Sequence, residues 1–171
     1  CGVPVVWHNR LEDVPGGAPL MVIANEFFDA LPIRQVQFQD GAWRDRLVGL
    51  GADGRLAFGL SEDTAAGVTV GGAEGDIREF SPAGIEIAAQ LGARLAAEGG
   101  ALLAIDYGYG VARAGDSLQA LKAHAYADVL AEPGEADLTA HVDFAALAAA
   151  GRSGGARVHP LLTQRTLLER L

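Results

Sequence analysis

The chain is short of cysteine, of cations and of long apolar runs, and each shortage removes a class of protein. Of its 171 residues only Cys1 is a cysteine. An internal disulfide framework and a cysteine-built zinc site are therefore excluded, and a reducing compartment is the expectation. Thirteen Lys and Arg stand against 22 Asp and Glu, a formal net charge of −9. A nucleic-acid surface needs clustered cations, so a basic or neutral partner is expected in its place. No stretch approaches the roughly 18 consecutive apolar residues of a membrane helix, and no basic segment leads into an apolar one as in a secretory signal. The expectation is a soluble protein. No Gly-x-Ser-x-Gly elbow, His-Glu-x-x-His pair or phosphate loop is present, so hydrolase, zinc protease and nucleotide-triphosphatase readings lack their central residues. His8, His124, His141 and His159 are scattered without metal-ligand spacing, and no metal is expected.

What the chain does have is apolar substance: 50% of it is hydrophobic, enough for one sizeable core and one domain. Strands are expected at residues 3–7, 20–24 and 101–106, with a weaker candidate at 156–160. The first two are separated by the Gly/Pro-rich loop Val14-Pro15-Gly16-Gly17-Ala18-Pro19. Residues 33–60 change character. Their β-rich pieces are broken by Asp40-Gly41 and Asp53-Gly54, both hairpin signals, which predicts an antiparallel meander inserted after the second strand. Residues 61–75 are Gly/Ala-rich and read as a mobile loop. Ser81-Pro82 then supplies an N-cap followed by proline at the first helical position, and the helix it opens runs to Gly99-Gly100. Further helices are expected at about 142–150 and from Thr163. Trp7 and Trp43 read as partly buried anchors. The architecture is α/β with a β insertion. The chain opens on Cys1 without an initiator methionine and stops at Leu171 inside a helical pattern, so it reads as cut at both ends.

The most informative stretch is Met21-Val22-Ile23-Ala24-Asn25-Glu26-Phe27-Phe28-Asp29-Ala30-Leu31-Pro32. A strand-length apolar run leads straight into an Asn-Glu pair, a second acid three residues on, and a proline stop. In an open α/β sheet the ligand crevice lies outside the C-terminal strand ends, so Asn25, Glu26 and Asp29 are candidates to face it. If the segment forms a helical turn, the i, i+3 spacing puts both acids on one face. They either hold a ligand together or merely cap that turn. Phe27 and Phe28 are expected to pack. The next apolar strand ends in Asp106-Tyr107-Gly108, where Asp106 either faces the crevice or caps local N–H groups and Gly108 permits a tight turn.

Three motifs carry a family resemblance: Ala24 to Pro32, Gly115-Asp116-Ser117-Leu118-Gln119-Ala120, and the long Pro133-Gly134-Glu135-Ala136-Asp137-Leu138-Thr139-Ala140-His141-Val142-Asp143-Phe144. In this order they resemble the MidA-like methyltransferases, bacterial and mitochondrial relatives of the complex I assembly-factor arginine methyltransferase. The resemblance implies S-adenosylmethionine as cofactor, a partial Rossmann-like sheet as fold, and a protein arginine of a respiratory complex I subunit as acceptor. It also implies a cytoplasmic location in bacteria and the mitochondrial matrix for eukaryotic relatives. The family's glycine-rich cofactor loop has no counterpart here; Gly71-Gly72 and Gly108-Tyr109-Gly110 lack its spacing. The chain is thus expected to be the part after that loop, inactive alone and without the last strand. Val129 also departs from the family's Asp-Pro-Leu pattern.

On this reading Glu26 and Asp29 clamp the target guanidinium, which is planar, protonated and suited to bidentate carboxylates. His141 is a proton acceptor or pocket wall, with a satisfied loop histidine as the alternative. Asn25 and Asp106 are expected to serve the cofactor, and Tyr107 and Asp143 the substrate. The competing functional class is a non-catalytic assembly module that docks a client protein through residues 33–60.

Overall fold

The computed structural model describes residues 2–171; Cys1, and the reading placed on it, lie outside the described residues. The chain order is β1 (Leu20–Asn25), β2 (Arg34–Gln39), β3 (Ala42–Leu50), β4 (Leu56–Thr64), β5 (Ile77–Phe80), α1 (Pro82–Glu98), β6 (Gly100–Ile105), β7 (Gly108–Tyr109), β8 (Gln119–Lys122), β9 (Ala125–Ala127), β10 (Asp137–Thr139), β11 (Val142–Asp143), α2 (Phe144–Ser153) and α3 (Gln164–Leu168). Strands β1 and β6 pair in parallel, from Leu20 opposite Gly100 to Asn25 opposite Ile105. Parallel strands need a long crossover. Here it consists of the meander followed by α1.

The meander is real and larger than its sequence suggests. It is a four-stranded antiparallel sheet in the order β4-β3-β2-β5, so β5 closes it as a fourth member. Its first hairpin turns through Asp40 and Gly41 at φ 51 and 76, the left-handed pair of a type I′ turn. Residues 61–75 are no free loop. β4 runs on to Thr64, Ala65 is buried with its N–H on the Trp43 carbonyl, and the Trp43 indole N–H donates to the Val70 carbonyl at 2.7 Å. Val36, Trp43 and Ala65 form this sheet's own core.

Ser81 caps α1 as expected, its hydroxyl accepting from the Gly84 N–H. α1 lies against α2 at very short range. A Cβ on Gly92 would come within 2.5 Å of the Gly151 carbonyl oxygen, so only glycine allows this approach. α2 starts at Phe144, two residues after the expected position, because Val142 and Asp143 are first used to pair with β7. α3 follows Thr163, which caps it.

Two expected strands do not form. Residues 3–7 are exposed irregular chain, with Trp7 90% exposed, so Trp7 is no anchor; residues 156–160 are likewise irregular. Both have apolar character, but no neighbouring strand among the described residues completes a ladder for them, and a lone strand is not stable in water. The second core lies beneath the parallel pair. Ala24, Phe28 and Val142 are buried there, with Leu102, Ala104, Phe144 and Leu147 packed around them.

Candidate active site

The site is built where the two parallel strands end. The Glu26 N–H donates to the Ile105 carbonyl at 2.9 Å, carrying the ladder one residue past β1. Glu26 then takes φ 45, a left-handed conformation uncommon for a residue with a Cβ. That residue swings the chain into an irregular turn rather than a helix; its only backbone closure is Leu31 N–H to the Phe28 carbonyl at 3.3 Å. The helical spacing of Glu26 and Asp29 therefore does not apply. The fold brings the acids together by other means.

Asp106 is one of them. Its Oδ2 accepts from the N–H groups of Phe28 and Asp29 at 3.0 and 3.2 Å, and its Oδ1 from the Tyr107 N–H at 2.8 Å. The acid at the end of β6 thus ties down the turn after β1. Phe28 is buried in the core beneath, with Phe27 edge-on to it at 5.2 Å.

Asp29 is the unusual member. It is 7% exposed, and its Oδ1 is buried with no hydrogen-bond partner. Burial, then the charges of Asp106 and Glu26, push its carboxyl above the ordinary value; the neighbouring backbone N–H groups pull it partly back. A buried acceptor left unmatched is costly, and such groups concentrate at functional sites. Glu26 is exposed, and its Oε1 accepts from the Tyr107 hydroxyl at 3.4 Å. Glu26 also raises the Tyr107 pKa, so Tyr107 remains a donor. Asn25 stands exposed at the same strand end.

His141 reaches this place through its backbone. Ala140 N–H donates to the Asp29 carbonyl at 3.0 Å and Val142 N–H to the Tyr107 carbonyl at 2.8 Å, so the His141 segment is stapled across both strand ends. Gly108 serves close approach rather than a turn, since a Cβ there would lie 2.1 Å from the Val142 carbonyl oxygen. Asp143 caps α2 through the Ala146 N–H at 3.0 Å and faces Tyr109, whose pKa rises chiefly through burial and next through Asp143.

Sequence reasoning missed the hub next door. Glu79, on β5, accepts from Gln35 Nε2 at 2.8 Å and from the Ser117 and Leu118 N–H groups at 3.0 and 3.2 Å. The Ser117 hydroxyl donates to Glu79 Oε2 and accepts from the His141 N–H at 2.8 Å. The only sequence signal was the motif around Ser117, which had no role attached. Beside this hub lies a cavity of about 260 Å³, lined among others by Tyr109, Arg113, Asp116 and His141.

The described residues fit part of a cofactor seat. Asn25 is free at the C-terminal strand ends, where nucleotide-type cofactors sit, but both Asp106 oxygens are engaged with backbone. No group of three His, Cys, Asp or Glu is placed to hold a metal, and no helix is long and apolar enough to cross a membrane, among the described residues.

Polar groups gathered at the ends of crossover-linked parallel strands are the arrangement of a Rossmann-like α/β fold. Comparison with known proteins sharpens this. Residues 1–161 match the family described as "Putative S-adenosyl-L-methionine-dependent methyltransferase", and the chain belongs to that family, whose cofactor is S-adenosylmethionine. It is 38% identical over 178 residues to "Protein arginine methyltransferase NDUFAF7, mitochondrial" of Danio rerio, in an alignment covering 99% of this chain and 41% of that protein. The Homo sapiens protein of the same name is 34% identical, with 99% and 39% covered. Among solved structures, a Burkholderia thailandensis protein bound to S-adenosyl-homocysteine superposes with a TM-score of 0.70 at 28% identity, over 85% of this chain and 40% of that one. The chain thus spans about two fifths of the length of these relatives.

Proposed function

We propose that this chain carries the acceptor-binding part of a protein arginine methyltransferase, acting on an arginine of a respiratory complex I subunit, with Glu26 and Asp29 holding the target guanidinium. The observation that carries the reading is Asp29: a buried carboxylate with an unmatched oxygen, beside an exposed second acid. A guanidinium supplies what that oxygen lacks, a planar set of N–H donors with a positive charge. Glu26 reaches it from the solvent side, and Tyr107 fixes the Glu26 carboxylate. S-adenosylmethionine supplies the methyl group when bound. An N–methyl bond forms as the S–methyl bond breaks with its electron pair left on sulfur, and the guanidinium gives up one proton. Clamping fixes the plane of the nucleophile and draws positive charge away from the attacking nitrogen.

His141 is the proposed proton acceptor, one residue from the Ala140 that bonds Asp29. Asn25 is assigned to the cofactor and Asp106 to holding the turn that both sites share. Tyr107 contributes to the acceptor pocket as well as to Glu26, and Asp143 acts from its place beside Tyr109. A reducing compartment, the cytoplasm in a bacterial host, belongs to the same reading. The relatives named protein arginine methyltransferases support the acceptor class.

The test is to incubate the full-length protein with methyl-labelled S-adenosylmethionine and complex I subunits, then hydrolyse and identify the labelled amino acid. Label in methylarginine is the expected result. Transfer to another residue type, or cofactor binding without transfer, would overturn the assignment.

A further inference from the structure

We propose that the cavity beside Tyr109 and His141 is a subsite for a carboxylate side chain of the protein substrate, selected by Arg113; this rests on the arginine-methyltransferase reading above. The argument comes from which polar groups in the cavity are already satisfied. Its two acids are. Glu79 accepts from Gln35, from the Ser117 and Leu118 N–H groups and from the Ser117 hydroxyl. Asp116 accepts from Gln35 at 2.8 Å and pairs with Arg46 at 2.8 Å. Glu79 is saturated, and each Asp116 oxygen already holds a donor.

The groups with capacity left are of the opposite kind. Arg113 stands 5.1 Å over the Tyr109 ring, and no hydrogen bond or ion pair of its side chain occurs among the described residues. The Tyr109 hydroxyl is likewise unpaired there and, held above its ordinary pKa by burial, keeps its proton. The His141 imidazole also lines the cavity without a hydrogen bond to its ring. An unpaired guanidinium beside acids that already hold donors favours a carboxylate ligand. Arg46 neutralises Asp116, and the charges of Arg113 and Arg78 both reach Tyr109, where they oppose the stronger charges of Asp143 and Glu79.

Continuity makes the ligand a peptide. A second, narrow apolar cleft of about 40 Å³ shares Glu79, Tyr109 and His141 with the cavity and reaches Phe28, the chain neighbour of Asp29. A chain whose arginine sits on Glu26 and Asp29 can lay an apolar neighbour in the cleft and an acidic residue in the cavity.

The test uses the full-length protein and arginine peptides in which Asp is moved through the flanking positions and compared with Asn. At one register the wild type should favour Asp by about tenfold in kcat/KM, the size of one charge-assisted hydrogen bond. Arg113→Gln should bring that ratio close to one, Arg113→Lys should restore part of it, and Arg55→Gln, on the exposed far hairpin, should leave it intact. No preference at any register, or one that survives Arg113→Gln, overturns the proposal. If no peptide is methylated, the acceptor reading has failed, and the subsite is decided by binding of N-acetylaspartate. Binding that weakens about tenfold in Arg113→Gln supports it, and equal or absent binding overturns it. N-acetylaspartate that binds yet leaves turnover of the Asp peptide untouched overturns the assignment to substrate.

Discussion

The antiparallel meander and the parallel pair are built on opposite plans. The meander closes a core of its own: its strands cover Val36 at 0% exposure and Trp43 at 5%, and the loop after β4 is pinned across them, while the far end of β3, at Leu47, Val48 and Leu50, stands exposed. The parallel pair is finished on one face only. Ala24, Leu102 and Ala104 pack on Phe28, whereas on the other face Met21 is 78% exposed, Ile23 77% and Leu103 44%. Parallel sheets are ordinarily covered on both faces. The better-closed core therefore belongs to the region that holds neither Glu26 nor Asp29. The candidate chemistry sits at the end of the region with the thinner packing, where the unmatched Asp29 oxygen and the left-handed Glu26 are also found.

The comparison is broken most forcefully from the meander side. Trp43→Ala removes a buried indole, its edge-to-face contact with Phe38 and its hydrogen bond to Val70. It should cost about 3–5 kcal/mol, read from denaturant melts. A cost below about 1 kcal/mol would mean that the meander is not the stable unit.

On the other side, Glu26→Gln leaves the melt almost unchanged, because Glu26 is exposed. In the full-length protein it should keep cofactor affinity and lower methyl transfer about a hundredfold, since the neutral amide no longer draws charge from the guanidinium. Equal turnover would remove Glu26 from the clamp.

The unequal legibility of the two regions has a physical basis. Short-range chemistry could be read from the chain: the turn at Asp40-Gly41, the Ser81 cap with its proline, and the acids after the apolar run of β1. What escaped depends on distant partners. Residues 3–7 look like a strand but find no ladder, while β5, only four residues long, is a strand because β2 lies beside it. Asp106 meets its N–H partners 77 and 78 positions away, and Glu79 meets Ser117 across 38. No local pattern announces such bonds. The sequence placed the acids at the strand ends and offered Asp106 as a cap of local N–H groups, as it is for Tyr107. The Asp106 bonds to the distant turn and the left-handed Glu26 were not foreseen.

Asp29→Asn separates stability from function at the same spot. Asp29 is held above its ordinary value of 3.8 by burial and then by the Asp106 and Glu26 charges. The folded state thus prefers the protonated acid more than the unfolded chain does. Its favourable contribution is full below 3.8 and is lost as pH rises through the raised value. Asparagine is neutral and nearly isosteric, so the variant should be the more stable protein at pH 7. Its advantage should shrink as pH falls toward the ordinary carboxylate range, while methyl transfer by the full-length protein drops. Denaturant melts across that range check the sign; an advantage that grew on acidification would contradict the raised carboxyl.

The smallest effect sharpens the contrast between the two faces of the parallel pair. Ile23 lies on β1 at 77% exposure. Ile23→Thr keeps β-branching and strand propensity and removes mainly apolar surface, so it isolates burial from backbone preference. In this chain it should cost no more than about 0.5 kcal/mol, as expected where a side chain already faces water. The same substitution on Val36, at 0% exposure on the meander, should cost several times more, because a buried hydroxyl must find a partner there. In a protein of the relatives' length, a loss at Ile23 that rises toward the Val36 value would mean that the bare face is covered by the additional chain. A loss that stays small would mean that the parallel pair keeps one face in water even there.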